Sequence, residues 1–231
     1  MEADDRIFIR SSDDPEQTPN REPAMTHHQE RYDNWAPNYN DDVAARCYQA
    51  PRTLVAQLMD LIAKGRLPIE PNDPDLKAID LGCGSGLVGQ NLRAQGFRHI
   101  DGVDLSLGML QQAYDSGAYR TLIPWQDLND PLPFFLHGQY DLTICCGVFA
   151  LDFVEPKSLR LLAQVTKPGG TLMLTTKTHY HRDYDFDSFC EGLIATGELT
   201  LVDCRRDQPY LGDEADGHYW VFRVSSAVEA A

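Results

Sequence analysis

A short glycine-rich segment limits what this chain can fold into more than any other feature of its sequence. Glycines occupy three alternate positions directly after an apolar stretch that ends at Leu81, and an amphipathic stretch follows them. The three are Gly82, Gly84 and Gly86. Glycine permits backbone conformations that other residues resist, and it lets a ligand touch the main chain where a Cβ atom would block it. The segment therefore predicts a strand, a ligand-binding turn and a helix in succession.

The chain continues from Lys77 as alternating strand-like and helix-like segments. The predicted strands are 78–81, 99–104, 121–124, 140–146, 171–176, 199–204 and 218–224, and the predicted helices are 87–95, 106–114, 156–166 and 185–196. Repeated strand–helix units predict a doubly wound, mostly parallel α/β sheet with helices on both faces. The last two strands alternate in hydrophobicity like an antiparallel pair. Ligands bind at the carboxyl ends of strands in such sheets, which is where the glycine turn lies.

The N-terminal part has a different composition. Residues 1–28 are acidic and proline-containing, which predicts a flexible tail. Residues 29–66 are predicted to form a helical cap on the domain at 77–231, with one helix at 43–49 and another that starts near Pro51. The first of these helices would be capped by one of two aspartates, Asp41 or Asp42.

Charge and cysteine content limit which binding partners and which cellular location are expected. The 231 residues contain 20 Lys and Arg against 35 Asp and Glu, a formal net charge of −15. Such a surface repels phosphate backbones and anionic bilayers, so neither nucleic acid nor a membrane is expected as a partner. The six cysteines include no CxxC pair, which favours reduced thiols, no metal site and a cytoplasmic location. No apolar run approaches the ~18 residues of a membrane span.

The type of nucleotide ligand is not decided by the glycines alone. A dinucleotide fingerprint GxGxxG would need glycine at position 87, where this chain has Leu87. Asp104 ends the second predicted strand, and a carboxylate at that place can accept both ribose hydroxyls of a nucleoside. An acidic residue there is shared by NAD sites and other nucleoside sites. A nucleotide-dependent oxidoreductase therefore stays open, although Leu87 disfavours it.

Several motifs together resemble the class I S-adenosylmethionine-dependent methyltransferases. The matching segments are AIDLGCGSGLVGQNL (78–92), GVDLSLGMLQQA (102–113), WQDLNDPLPF (125–134), YDLTICCGVFALDFV (140–154) and KPGGTLMLTT (167–176). The segment YDNWAPNYNDDV (32–43) is similar to the Williams–Beuren-region methyltransferase-like proteins and their bacterial relatives. The resemblance implies a Rossmann-like sheet of seven strands with an antiparallel C-terminal strand, and S-adenosyl-L-methionine as the cofactor.

The resemblance also implies which residues hold the methionine and ribose parts of that cofactor. Asp80 and the glycine turn would line the methionine end, and Asp104 would hold the ribose hydroxyls. Tyr39 matches an aromatic residue that closes over the cofactor. The implied contacts within the turn are Gly82, Cys83, Gly84 and Gly86. Alternatively, Asp80 caps the turn, and Tyr39 only staples the N-terminal helices together.

The resemblance also implies which residues contact the adenine and the sulfonium of the cofactor. Leu105 and Met109 would flank the adenine, and Asp127 would accept a hydrogen bond from its amino group with Leu128 packed beside it. The residues that would pass next to the sulfonium are Cys145, Gly147 and Val148. Met109 is equally compatible with a core position, and Asp127 with an ordinary loop carboxylate.

The acceptor is predicted to be a small molecule, with protein acceptors left open. The segment that begins at Cys145 lacks the Asn/Asp-Pro-Pro-aromatic motif of amino-methylating enzymes, and no Pro-Cys nucleophile is present. The segment 177–184 is predicted to be a loop near the methyl group; an extended backbone there would point His179 and His181 the same way, and either could act as a base. The alternative is a surface loop with no chemical role. Tyr180 could orient a substrate. The alternative function is a non-catalytic cofactor-binding module with a protein partner, and the oligomeric state is left open.

Overall fold

A computed structural model describes residues 7–8, 27–150 and 153–225 of the chain. The strands are β1 (Ile7–Phe8), β2 (Lys77–Leu81), β3 (His99–Asp104), β4 (Thr121–Pro124), β5 (Tyr140–Phe149), β6 (Thr166–Lys177), β7 (Leu199–Leu211) and β8 (Ala215–Val224). The helices are α1 (His27–Ala45), α2 (Ala50–Ala63), α3 (Leu87–Ala94), α4 (Leu107–Asp115), α5 (Ser158–Val165), α6 (Thr178–Asp183) and α7 (Phe186–Ala195).

The strands form one sheet in the order β1-β4-β3-β2-β5-β6-β8-β7. Neighbours from β1 to β6 are parallel, and β8 runs antiparallel between β6 and β7. The predicted fold class is therefore confirmed: seven strands have the expected arrangement, and the two-residue β1 extends the edge beside β4. The chain order reverses at β2, between β3 and β5, so a crevice opens at the carboxyl end of β2.

Two apolar clusters hold helices against the two faces of the sheet. One cluster joins α2, α3 and α4 to the sheet through side chains such as Leu58 and Leu92. The other joins α5 and α7 through Leu162 and Leu193. Successive side chains of a strand point to opposite faces of the sheet. Because helices cover both faces, most strand side chains are buried whichever face they point to, as expected for a parallel sheet.

The N-terminal helix differs from its prediction. Helix α1 starts at His27 and ends at Ala45, so residues 27–28 belong to a helix, and the predicted helix at 43–49 is wrong. Pro37 lies inside α1, where a proline removes one backbone hydrogen bond. The helix forms nevertheless, because it packs on the N-terminus of α4. In the predicted tail, residues 7–8 form β1, and residues 1–6 and 9–26 fall outside the described residues.

Three absences apply to the described part of the chain. None of its helices is long and apolar enough to cross a membrane. Its histidines, cysteines and carboxylates form no cluster of three or more that could hold a metal ion. Its cysteines are unpaired: the thiols of four are buried, Cys204 is partly buried, and Cys47 is exposed.

Candidate functional site

The glycine turn after β2 has a backbone conformation that leaves its main chain exposed to the space above it. Gly82, Gly84 and Gly86 have φ angles of +74°, +53° and +93°, which other residues rarely adopt. The Gly82 N–H donates to the carbonyl of Val103 over 2.8 Å, which fixes the turn to β3. A Cβ atom on Gly84 would meet nothing within 4 Å, so its main chain faces open space. A ligand can therefore lie directly against this backbone.

Asp104, at the end of β3, connects the turn to helix α4. Its Oδ2 accepts from the Gly84 N–H over 2.7 Å, and its Oδ1 accepts from the Ser106 N–H over 2.9 Å. Burial raises the pKa of this carboxyl to about 6, although the two amides oppose the shift. Each carboxylate oxygen has two lone pairs, so both can still accept one further hydrogen bond from a ligand hydroxyl.

Asp80 lies beneath the turn. It is fully buried, and its Oδ2 accepts from the Tyr119 hydroxyl over 2.7 Å. Its Oδ1 has no hydrogen-bond partner. Burial, together with the nearby Asp104, raises the pKa of Asp80 to about 7. Such an unpartnered buried oxygen is costly, and a cationic ligand group nearby would lower that cost.

A cavity with about 780 Å³ of empty space opens above the turn at the carboxyl ends of the strands. Ten of the fourteen residues predicted at the cofactor line it: Tyr39, Gly82, Gly84, Asp104, Leu105, Met109, Asp127, Leu128, Gly147 and Val148. The other four do not line it: Asp80, Cys83, Gly86 and Cys145. Cys145 is fully buried in one face of the sheet because the side chains of β5 alternate, and its neighbour Cys146 faces the cavity instead.

Sequence reasoning missed seven residues that line this cavity. They are His28, Tyr32, Tyr48, Gln126, Cys146, Phe153 and Val154. Several come from the segment 27–48, whose fold as one helix and a following turn was not predicted. The aromatic residues at 32–40 were the available signal, because such residues need a surface to pack on.

Helix α1 covers the cavity and is tied to the elements below it. The Asp33 Oδ1 accepts from the Ser106 hydroxyl and, over 2.9 Å, from the Gly108 N–H at the start of α4. The Ser85 hydroxyl of the glycine turn donates to Asn40 Oδ1 over 2.6 Å. These contacts position Tyr39 over the cavity.

A second cavity, with about 700 Å³ of empty space, adjoins the first. The residues that line both are Tyr32, Tyr39, Tyr48, Gly147 and Phe153. Burial raises the pKa values of the Tyr32, Tyr39 and Tyr48 hydroxyls above their ordinary value, so all three stay protonated at neutral pH. The shared wall is therefore aromatic and uncharged.

The structure does not bring the predicted catalytic side chains to either cavity. Residues 178–183 form helix α6, so the loop predicted there is wrong, and His179 and His181 point about 200° apart around the helix. The His181 Nε2 lies 3.0 Å from Asp187 Oδ2, and its ring packs on His218 and Trp220. Tyr180 is fully buried and donates to the Val154 carbonyl over 2.9 Å. Helix α6 packs Tyr180 and His181 against other elements of the domain, and His179 lines neither cavity.

Comparison with known sequences identifies the domain. The family described as "Methyltransferase domain" matches residues 78–170, which contain the glycine turn and Asp104. This part of the chain is therefore similar to methyltransferases. The chain is also 40% identical over 148 residues to human Methyltransferase-like protein 27, an alignment that covers 64% of this chain and 57% of that protein. The chain thus spans little more than half the length of this curated relative.

Solved structures share the fold at low sequence identity. The magnesium protoporphyrin IX methyltransferase ChlM of Synechocystis PCC 6803, with S-adenosylmethionine bound, matches with a TM-score of 0.58 at 17% identity, over 88% of this chain and 100% of that one. The [4+2]-cyclase SpnF matches with a TM-score of 0.62 at 16% identity, over 88% and 97%. The methyltransferase fold is therefore shared with a protein named for a different reaction.

The residues present in this methyltransferase domain fit S-adenosylmethionine, the cofactor of its class. The bare Gly84 backbone leaves room for a ligand where a Cβ atom would project, and the partnerless Asp80 Oδ1 beneath it suits a cationic group. Asp104 retains acceptor capacity for ribose hydroxyls. Asp127 Oδ1 accepts from the Asn129 N–H over 2.8 Å, which leaves Oδ2 for an amino group.

Proposed function

We propose that the protein transfers a methyl group from S-adenosylmethionine to an oxygen or nitrogen nucleophile of a small molecule by in-line displacement. One observation carries the proposal: a cavity that fits the cofactor and a second cavity share one wall, which includes Gly147. Two molecules can therefore meet at that wall. Methyl transfer needs such an alignment more than it needs a dedicated catalytic group.

The cofactor would be oriented by residues of the turn and the following strand ends. Gly82 and Gly84 would offer bare backbone to the methionine part, and Asp104 would accept from the ribose hydroxyls. Asp127 would accept from the adenine amino group, while Leu105 and Met109 pack against the ring. When bound, the cofactor supplies a methyl group on a sulfonium, which is already activated for displacement.

The aromatic wall would exclude water and align the acceptor. Tyr32, Tyr39, Tyr48 and Phe153 surround the junction of the two cavities. Because the tyrosine hydroxyls stay protonated, they can donate to the acceptor but cannot remove its proton. We infer that the nucleophile arrives with a free lone pair, or loses its proton to solvent, and that no base among His179, Tyr180 and His181 takes part.

The lining of the second cavity supports a small acceptor. Its wall is mostly aromatic and apolar with a few charged groups, as in small-molecule sites. The net charge of −15 disfavours nucleic acid as an acceptor. The named substrate of the ChlM neighbour, magnesium protoporphyrin IX, is also a small molecule. A cytoplasmic location stays a prediction from the cysteine content.

The direct test is transfer of label from methyl-tritiated S-adenosylmethionine into a protein-free metabolite extract. We expect label in small molecules with the wild-type protein and none with Asp104→Asn at the same concentration. Cofactor binding without transfer into this extract or into a protein extract would favour the non-catalytic module.

A further inference from the structure

We propose that the second cavity binds an organic anion, a flat molecule that carries a carboxylate or phosphate group, as the methyl acceptor. This inference rests on the proposed function, because it names the substrate class for the same site. Three cations line this cavity in a chain whose net charge is −15: Arg31, Arg46 and Lys177. Among the described residues, no Asp or Glu lines it.

The pairing of the three cations shows which of them are available. The guanidinium of Arg46 forms a two-pronged ion pair with Glu214, with 2.9 Å between Nε and Oε1. For Lys177 and Arg31, no carboxylate of residues 27–150 or 153–225 lies within 4.0 Å of the charged nitrogens. The site therefore keeps an excess of positive charge that an anion can neutralise.

Lys177 is the cation best placed to hold such a group. It ends β6, next to the parallel strand β5 that carries Gly147, and its ammonium lies 5.8 Å from the centre of the Tyr210 ring. Burial lowers the pKa of Lys177; the charges of Arg46 and Arg31 lower it further, and the charge of Glu214 opposes them. A bound anion would favour the charged form of Lys177, because an opposite charge nearby stabilises it.

The rest of the cavity determines the shape of the anion. Its wall contains Tyr32, Trp35, Tyr39, Tyr48 and Phe153. The Trp35 and Tyr39 rings lie 4.7 Å apart, and Arg31 lies 5.9 Å from the centre of the Phe153 ring. Aromatic walls favour flat apolar bodies, and guanidinium groups bind carboxylates and phosphates with directed hydrogen bonds. An anion with a planar body matches both features.

Calorimetry with defined probes tests the inference without methyl transfer. The probes are 4-hydroxyphenylacetate, phenyl phosphate and the neutral 4-hydroxyphenylacetamide, titrated into the full chain with and without saturating S-adenosylhomocysteine. We expect at least one anion to bind about tenfold or more tighter than the amide, as for a charge-assisted contact. The carboxylate and phosphate arms show which group is preferred.

Matched variants identify the cations. Lys177→Gln and Arg31→Gln should each remove most of the preference for the anion, Lys177→Arg should retain it, and Lys157→Gln, at an exposed lysine paired with Glu155, should leave it unchanged. Equal affinity for anions and amide, no binding by any probe, or a preference that survives Lys177→Gln would overturn the inference. Binding of S-adenosylhomocysteine, measured in the same samples, reports on the cofactor site separately.

Discussion

Asp104 has two roles that act on the same carboxylate. It joins the glycine turn to the start of α4 through two backbone amides, and it presents its remaining acceptor capacity to the cavity. Because burial raises its pKa to about 6, the group changes charge within the range of ordinary assays. A carboxylate that holds two ribose hydroxyls should therefore make cofactor binding depend on pH.

Cofactor affinity should weaken as pH falls through 6. The ionised carboxylate accepts from the cofactor, so protonation of Asp104 competes with binding, and the Kd should rise about tenfold per pH unit below that pKa. Calorimetric titration of S-adenosylhomocysteine between pH 7.5 and 5 measures this. Asp104→Asn should bind at least about 100-fold more weakly at pH 7.5, since two hydrogen bonds to a charged group are lost. A Kd that is constant from pH 7.5 to 5 in the wild type would contradict this role.

Gly84 and Gly138 provide a matched pair of glycines. Their φ angles are +53° and +63°, and a Cβ atom on either would meet nothing within 4 Å. Alanine at each position should therefore cost a similar ~1 kcal/mol in free energy of unfolding from backbone strain. Only Gly84→Ala places a methyl group where the cofactor is proposed to lie. Calorimetry should show lost binding for Gly84→Ala and wild-type binding for Gly138→Ala; equal affinities in both variants would argue against the proposed position.

Among the elements, helix α1 departs furthest from its sequence pattern. Pro37 and a low content of apolar residues disfavour a helix before residue 43. The contacts that stabilise the helix there nevertheless leave no sign in the local sequence. Those contacts are long-range: Asp33 accepts from the start of α4, and Asn40 accepts from Ser85 in the glycine turn. Helical stability in proteins comes mostly from such packing, and one sequence does not reveal it.

Removal of one contact should loosen α1 without unfolding the domain. Asp33→Ala deletes the acceptor for Ser106 and Gly108, so amides of residues 27–45 should exchange with solvent faster, and cofactor affinity should fall several-fold. Asp41→Ala, at an exposed position of the same helix, is the control. Hydrogen–deuterium exchange followed by mass spectrometry measures the exchange rates of these amides in both variants. Unchanged exchange in the Asp33 variant would show that α1 is held by other contacts.

For the molecule as a whole, the sequence predicts the sheet well and the acceptor side poorly. The strand pattern and the glycine turn are local signals, and they place Gly82, Gly84 and Asp104 correctly at one edge. The family resemblance implied Cys145 beside the cofactor, but side chains of β5 alternate between the two faces, and Cys146 lines the cavity instead. The cation group of Arg31, Arg46 and Lys177 joins segments far apart in sequence, and no local pattern predicts it.

The free energy of unfolding should depend on pH because Asp80 is buried. Its pKa is about 7 in the folded protein and about 3.9 in an unfolded chain. The folded state therefore binds more protons between these values, and the free energy of unfolding should fall as pH rises from 6.5 to 7.5. Asp80→Asn should flatten this slope, because asparagine does not titrate. Chemical denaturation without cofactor measures the free energy of unfolding of both proteins at the two pH values. An equal change with pH in the wild type and in Asp80→Asn would contradict the raised pKa of Asp80.

Calorimetric titration of the wild-type protein with S-adenosylhomocysteine, and separately with NAD, decides which nucleoside ligand the glycine turn binds. We expect one S-adenosylhomocysteine bound per chain with micromolar or tighter affinity and no detectable heat from NAD. Binding of NAD with comparable affinity, or no binding of S-adenosylhomocysteine by the folded wild-type chain, would contradict this expectation.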